Sequence, residues 1–114
     1  METIFTLTSE EVDKQVTPNK AGVYQLLTFN TFLELYVVKY VGRSDTDLNA
    51  RLKQHCSKGY DAFCFEYADT PLDAYQGECT YYHHYNGDIG LLDNKSHPDL
   101  PDGVSGVVCP ICQR

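Results

Sequence analysis

The sequence predicts an α+β domain, a small antiparallel sheet of three strands flanked by helices. Three observations carry this. Two apolar stretches, GVYQLLTF at 22–29 and LELYVVKYVG at 33–42, flank a short connection and read as a hairpin. Two longer stretches, SDTDLNARLKQHCSKG at 44–59 and TPLDAYQGECTYYHHYNG at 70–87, open on helix-capping residues and close on glycine. A chain of 114 residues has room for one domain and one modest core.

In chain order, LTSEEVDKQV at 7–16 is a short helix, with Thr8 or Ser9 as N-cap and Glu11 placed for a capping box. TPNKAG at 17–22 breaks it. The two hairpin arms follow, and Gly42 ends the second. The next helix takes its cap from the Asp and Thr residues at 45–47 and has Gly59 after its end. YDAFCFEYA at 60–68 is a third strand with rough alternation. The last helix has Thr70 as cap and Pro71 at its first position, and stops at Asn86-Gly87. LLDNKSHPDLPDGVSG at 91–106 is irregular, and VVCPICQR at 107–114 reads as a tail.

Charge is unevenly placed along this chain. Nine Lys and Arg face sixteen Asp and Glu, for a net charge of −7. Five of the nine cations, Lys39, Arg43, Arg51, Lys53 and Lys58, fall between positions 39 and 58, where only Asp45 and Asp47 oppose them. An acidic chain is a poor general coat for nucleic acid. A local basic face on an acidic body can still hold a phosphate backbone. METIFTLTSEEV lacks the cationic start and apolar segment of a signal peptide. No apolar run approaches the roughly 18 residues of a membrane span, so no membrane partner is expected. The cysteines, Cys56, Cys64, Cys79, Cys109 and Cys112, are odd in number and irregularly spaced. That argues against a secreted disulfide framework and for a reducing, cytoplasmic setting.

Taken singly, the candidate functional residues are ordinary. Arg51 and His55 are four apart and share a helix face that Lys58 extends, as on many solvated helices. Tyr24 and Tyr40 stand in GVY and YVG, where strand-end tyrosines commonly pack with the hydroxyl at the rim. Glu78 lies mid-helix among tyrosines. Taken in order, they say more. GVY at 22–24, YVG at 40–42, a cation at Arg43, ARLKQH at 50–55, a helical Glu and a late Asn form a set that resembles the GIY-YIG nuclease family. The resemblance covers roughly residues 20–98.

The resemblance implies a GIY-YIG-like catalytic domain over residues 1–102, followed by a tail at 103–114 that bears CPIC. It implies a metal-dependent endonuclease that hydrolyses phosphodiester bonds in DNA. In that family the two tripeptides lie on neighbouring strands of a hairpin, and the Arg lies on the next helix. The Glu lies on a later helix and binds one divalent metal. By position, Tyr24 and Tyr40 are the paired tyrosines and Arg43 is the cation after the second tripeptide. Arg51 is the helical Arg, His55 the residue four further on, Glu78 the ligand of Mg²⁺ or Mn²⁺, and Asn94 the late Asn. Tyr24 and Tyr40 are sixteen positions apart, longer than the family's usual interval. A longer hairpin keeps the tyrosines together, whereas a shifted register would turn one to the other sheet face. The family usually joins this domain to a DNA-binding module. Here a partner protein or a second copy of the chain would supply DNA affinity. The alternative is a catalytically silent nucleic-acid or protein interaction module on the same scaffold, stabilised by zinc.

Phosphodiester hydrolysis needs a positioned water, a proton acceptor and positive charge for the developing oxyanions. The resemblance gives Arg51 to the non-bridging oxygens and Glu78 to the metal. Tyr40 is the first choice as proton acceptor, with Tyr24 and His55 as rivals. CPIC, from Cys109 to Cys112, is half a zinc knuckle. Zinc needs about four ligands. His97 is a candidate for the remainder, as are Cys79, His83 and His84.

Overall fold

A computed structural model describes residues 3–113. Its elements are β1 (Phe5–Thr6), α1 (Ser9–Gln15), β2 (Gly22–Asn30), β3 (Leu35–Ser44), α2 (Leu48–His55), β4 (Ala62–Tyr67) and α3 (Pro71–His84), with a 3-10 turn at Gly87–Ile89. The fold class is as expected, with one more strand. The sheet has four strands in the order β1-β4-β2-β3, and every pairing is antiparallel. The extra strand, β1, is two residues long and pairs Phe5 with Phe63 at the edge of β4.

Local chemistry sets the helix starts. The Thr8 hydroxyl accepts from the Glu11 amide, which is one half of the expected capping box. The Glu11 carboxylate turns away to accept from Gln15 instead. The Asp47 carboxylate caps α2 by accepting from the Ala50 amide. Thr70 caps α3 by accepting from the Asp73 amide, and Pro71 opens the helix. α2 is shorter than the expected 44–59 stretch, because Ser44 still belongs to β3 and the chain leaves the helix after His55. Likewise β3 runs past Gly42 to Ser44, since Arg43 and Ser44 still pair with Val23 and Gly22.

Both faces of the sheet are covered. Tyr24 and Leu26 on one face pack with Val12 and Val16 of the α1 region and with Leu48 and Leu52 of α2. Val23 on the other face meets Gly77 of α3, and Val41 packs with Tyr82. This explains why β2 is buried at every position from Gly22 to Leu27 and shows no alternation in sequence. The outer edge of β3 is covered by the irregular segment after α3. Asp93 donates its amide to the Lys39 carbonyl, and the Asn94 side chain pairs with both backbone groups of Val41. Within the segment that reads as a tail, one residue packs inward. Cys109 is fully buried against Tyr75 and Cys79 of α3. No helix among the described residues is long and apolar enough to cross a membrane.

Candidate functional site

The two motif glycines bring the motif tyrosines together. Tyr24 on β2 lies directly across from Gly42 on β3. A Cβ at Gly42 would stand 2.4 Å from the Tyr24 hydroxyl, so only glycine lets that ring lie over β3. Gly22 is equally confined. A Cβ there would stand 2.5 Å from the Glu66 carbonyl and 2.8 Å from Leu48 of α2. Tyr40 pairs with Leu26, two residues along from Tyr24, so both tyrosines occupy one face. Their ring centroids are 6.3 Å apart and nearly parallel. The long hairpin is absorbed beyond this level, where a bulge at Lys39 shifts the register toward the hairpin tip.

His55 completes an aromatic triangle. Its ring lies 5.4 Å from Tyr24 and 5.2 Å from Tyr40. Its Nε2 is 2.7 Å from the Tyr24 hydroxyl, and its Nδ1 is buried without a hydrogen-bond partner among the described residues. Burial, with Lys58 and Arg51 nearby, lowers the His55 pKa to about 4. The imidazole is therefore neutral at pH 7. Burial also raises the hydroxyl of Tyr24, reinforced by Tyr40, and that of Tyr40, reinforced by Glu78. Arg51 opposes both shifts.

Along the outer edge of β3 a cleft of about 740 Å³ opens over this triangle. Tyr24, Tyr40, Arg43, Arg51, Glu78 and Asn94 all line it. His55 stands behind Tyr24. Arg43 reaches from β3 to α3, where its Nη1 donates to Glu78 Oε1 at 2.6 Å, while its Nε donates to Asp45 at 2.8 Å. The guanidinium also lies over the Tyr75 ring, 5.4 Å from its centroid. Burial disfavours the charged Arg43, but Asp45 and Glu78 more than offset it, and its pKa is raised. Arg51 is exposed and forms no ion pair among the described residues. Asn94 has both amide atoms on the Val41 backbone, so it anchors the cleft wall to β3.

Of the five clustered cations, only Arg43 and Arg51 line the cleft, and Lys53 pairs with Asp13 on the far helix pair. The lining holds three cations (Arg43, Arg51, Lys95) against five carboxylates (Asp45, Glu78, Asp93, Asp99, Asp102). Burial raises Glu78 to about 7 even with Arg43 bound to it, and Asp45 and Asp99 add to the shift. Sequence reasoning missed Asp45 as the second partner of Arg43, although GRSD places it two residues on. It also missed Asp99 and Tyr60, whose hydroxyl donates to Asp93.

A second cluster lies on the far wall. His83, His97, Cys109 and Cys112 place their ligand atoms within 4.8 Å of one another and could hold a metal ion. Of the other candidates, Cys79 neighbours Cys109 without belonging to the set, and His84 packs on Tyr85. No family model, curated protein or solved structure matches this chain.

Proposed function

We propose that the cleft is the active site of a metal-dependent endonuclease of GIY-YIG type that hydrolyses phosphodiester bonds in DNA. One observation carries the reading. Tyr24, Tyr40, the exposed Arg51 and the buried Glu78 converge on one cleft from four different elements, with His55 hydrogen-bonded behind Tyr24.

In this reading Tyr24, rather than Tyr40, takes the proton from the attacking water. A free phenolate is disfavoured by burial, so Tyr24 needs an outlet for its own proton. Neutral His55 is that outlet, 2.7 Å away, and the negative charge that grows on the phosphate during attack is what must offset the cost of charging this buried imidazole. As the water oxygen bonds to phosphorus, its proton passes to Tyr24 and the Tyr24 proton passes to Nε2 of His55. The bond from phosphorus to the leaving oxygen then breaks, and solvent protonates that oxygen. Tyr40 packs Tyr24 and His55 in place. Arg51 offers a fork of donors to the non-bridging oxygens, where charge develops. Glu78 would hold Mg²⁺ or Mn²⁺, which supplies positive charge to the substrate oxygens when bound. With few free cations in the cleft, a partner protein or second copy supplies most DNA affinity. The His/Cys cluster stands apart from this chemistry and suits Zn²⁺ as a structural ion.

A second reading is a catalytically silent interaction module on the same scaffold. It is favoured by the Arg43–Glu78 ion pair, which already neutralises the one carboxylate the chemistry requires.

The test is incubation with plasmid, branched and single-stranded DNA, with Mg²⁺ or Mn²⁺ and with chelator. Cation-dependent cleavage that Glu78→Gln abolishes, with the fold kept, supports the endonuclease. A folded protein inert on every substrate with either cation overturns it in favour of the silent module.

A further inference from the structure

We infer that His83, His97, Cys109 and Cys112 form a structural zinc site that fastens the C-terminal segment to α3 and holds one wall of the cleft. The four ligand atoms lie within 4.8 Å of one another, and Cys112 Sγ is 3.3 Å from Nε2 of His97. Ligands about 2.0–2.3 Å from a tetrahedral zinc stand at roughly such separations. Two thiolates and two imidazoles match zinc in both number and softness. Two thiolates also cancel the charge of the ion, so the filled site can sit among buried groups.

The surroundings orient both imidazoles as ligands. Nδ1 of His97 is 2.9 Å from the Pro98 carbonyl. A carbonyl can only accept, so Nδ1 carries the proton and Nε2 presents its lone pair toward Cys112. Nδ1 of His83 faces the Asp88 carboxylate at 3.8 Å, while Nε2 is buried with no hydrogen-bond partner among the described residues. The His83 side chain is only 8% exposed, so an orphaned ring nitrogen is costly unless an ion takes it. A carbonyl or carboxylate behind each ligating histidine is the usual arrangement around protein-bound zinc. The CPIC turn is itself shaped for the task, since the Gln113 amide closes it by donating to the Cys109 carbonyl.

Function connects to this site through His97. His97, Pro98, Asp99 and Asp102 line the cleft, and Asn94 fastens the same segment to β3. The segment has no helix or strand of its own after the 3-10 turn. Asn94 at one end and the metal at the other therefore hold it. Zinc ties His83 to Cys112 across a long loop, and because the unfolded chain has no such site, the free energy of metal binding adds to that of folding.

The experiment uses the whole chain, purified without added zinc. Elemental analysis should find one zinc per chain, and a chelator should lower the melting temperature. Co²⁺ exchanged into the wild type should give the intense visible bands of tetrahedral coordination and a thiolate charge-transfer band. Cys112→Ser and His83→Gln should lose zinc, while Cys79→Ala, beside the site but outside it, should keep it. No bound metal with melting unchanged by chelator overturns the inference. So does an octahedral Co²⁺ spectrum, or full zinc content in both ligand variants. If either variant fails to fold, the wild-type Co²⁺ spectrum decides. None of these readouts uses DNA, so failure here is separate from failure of the endonuclease reading.

Discussion

The Tyr24 hydroxyl lies 2.7 Å from Nε2 of His55 and joins the central strand to the last turn of α2 beneath the cleft. The bond holds a neutral imidazole in a place where charge is unwelcome. Tyr24→Phe keeps the ring that fits over Gly42 and removes only this bond. Both nitrogens of a buried His55 would then lack partners, at a cost of about 1–3 kcal/mol in urea unfolding. If Tyr24 takes the proton from water, single-turnover cleavage should fall by about 10²–10⁴-fold. A variant that is destabilised but cleaves at the wild-type rate would leave Tyr24 a packing residue.

The same burial gives stability an unusual dependence on pH. His55 titrates near 6.5 when unfolded and at about 4 when folded. Its neutral form contributes stability that is present above pH 6.5 and lost as pH falls toward 4. Glu78 moves the other way, from 4.5 unfolded to about 7 folded. Its contribution is fullest below pH 4.5 and is lost as pH rises through 7. Between pH 4.5 and 6.5 the two slopes oppose each other. In metal-free protein, Glu78→Gln should therefore uncover the His55 slope, so that stability climbs more steeply with pH than in the wild type. The difference between the two urea-derived curves should grow across this window to about 2–3 kcal/mol. Parallel curves would place Glu78 in contact with water.

Gly42→Ala tests why YVG ends in glycine. The added Cβ would stand 2.4 Å from the Tyr24 hydroxyl, and β3 cannot retreat without breaking its pairing with β2. Tyr24 must then leave His55. Overpacking of this kind costs about 1–3 kcal/mol. The near-UV circular dichroism of the tyrosine cluster should change with it. An unaltered spectrum and unaltered stability would mean that the ring is free to move.

These cases show what was legible in the chain. GVY and YVG could be read because the close approach of ring to backbone demands glycine at a fixed offset from tyrosine. Thr70-Pro71 could be read because capping is local. β1 could not, since two residues carry no periodicity and Phe5 is a strand only because β4 offers it an edge. The partners of the clustered cations could not be read for a related reason. Arg43 leaves an extended strand while Arg51 and Lys53 leave a helix, so neighbours in sequence point to different partners, and Lys53 finds Asp13. The Arg43–Glu78 pair spans 35 positions and has no sequence signal. His83 and His84 were indistinguishable as ligands, because only the packing of α3 decides which of two adjacent side chains faces CPIC.

Arg51 decides whether the cleft does chemistry. It is exposed, lines the cleft and forms no ion pair among the described residues, so it is available to a phosphate without first breaking another contact. Arg43 already holds two carboxylates, which leaves Arg51 and Lys95 as the lining cations with no ion pair among the described residues. Two phosphate contacts at about 0.9 each give a slope of affinity against salt of roughly −2 on logarithmic axes. Binding by the isolated chain should therefore be weak and only mildly salt-dependent. Arg51→Ala should reduce that slope by about one and affinity modestly. Its larger effect should be on rate, about 10²–10³-fold at saturating DNA, because charge on the non-bridging oxygens grows toward the transition state. Single-turnover rates at saturating DNA and titrations across salt separate the two. A steep wild-type slope would reveal a wider basic surface elsewhere. An unchanged rate would reduce Arg51 to a solvated cation on the face of α2, and the endonuclease reading would lose its phosphate clamp.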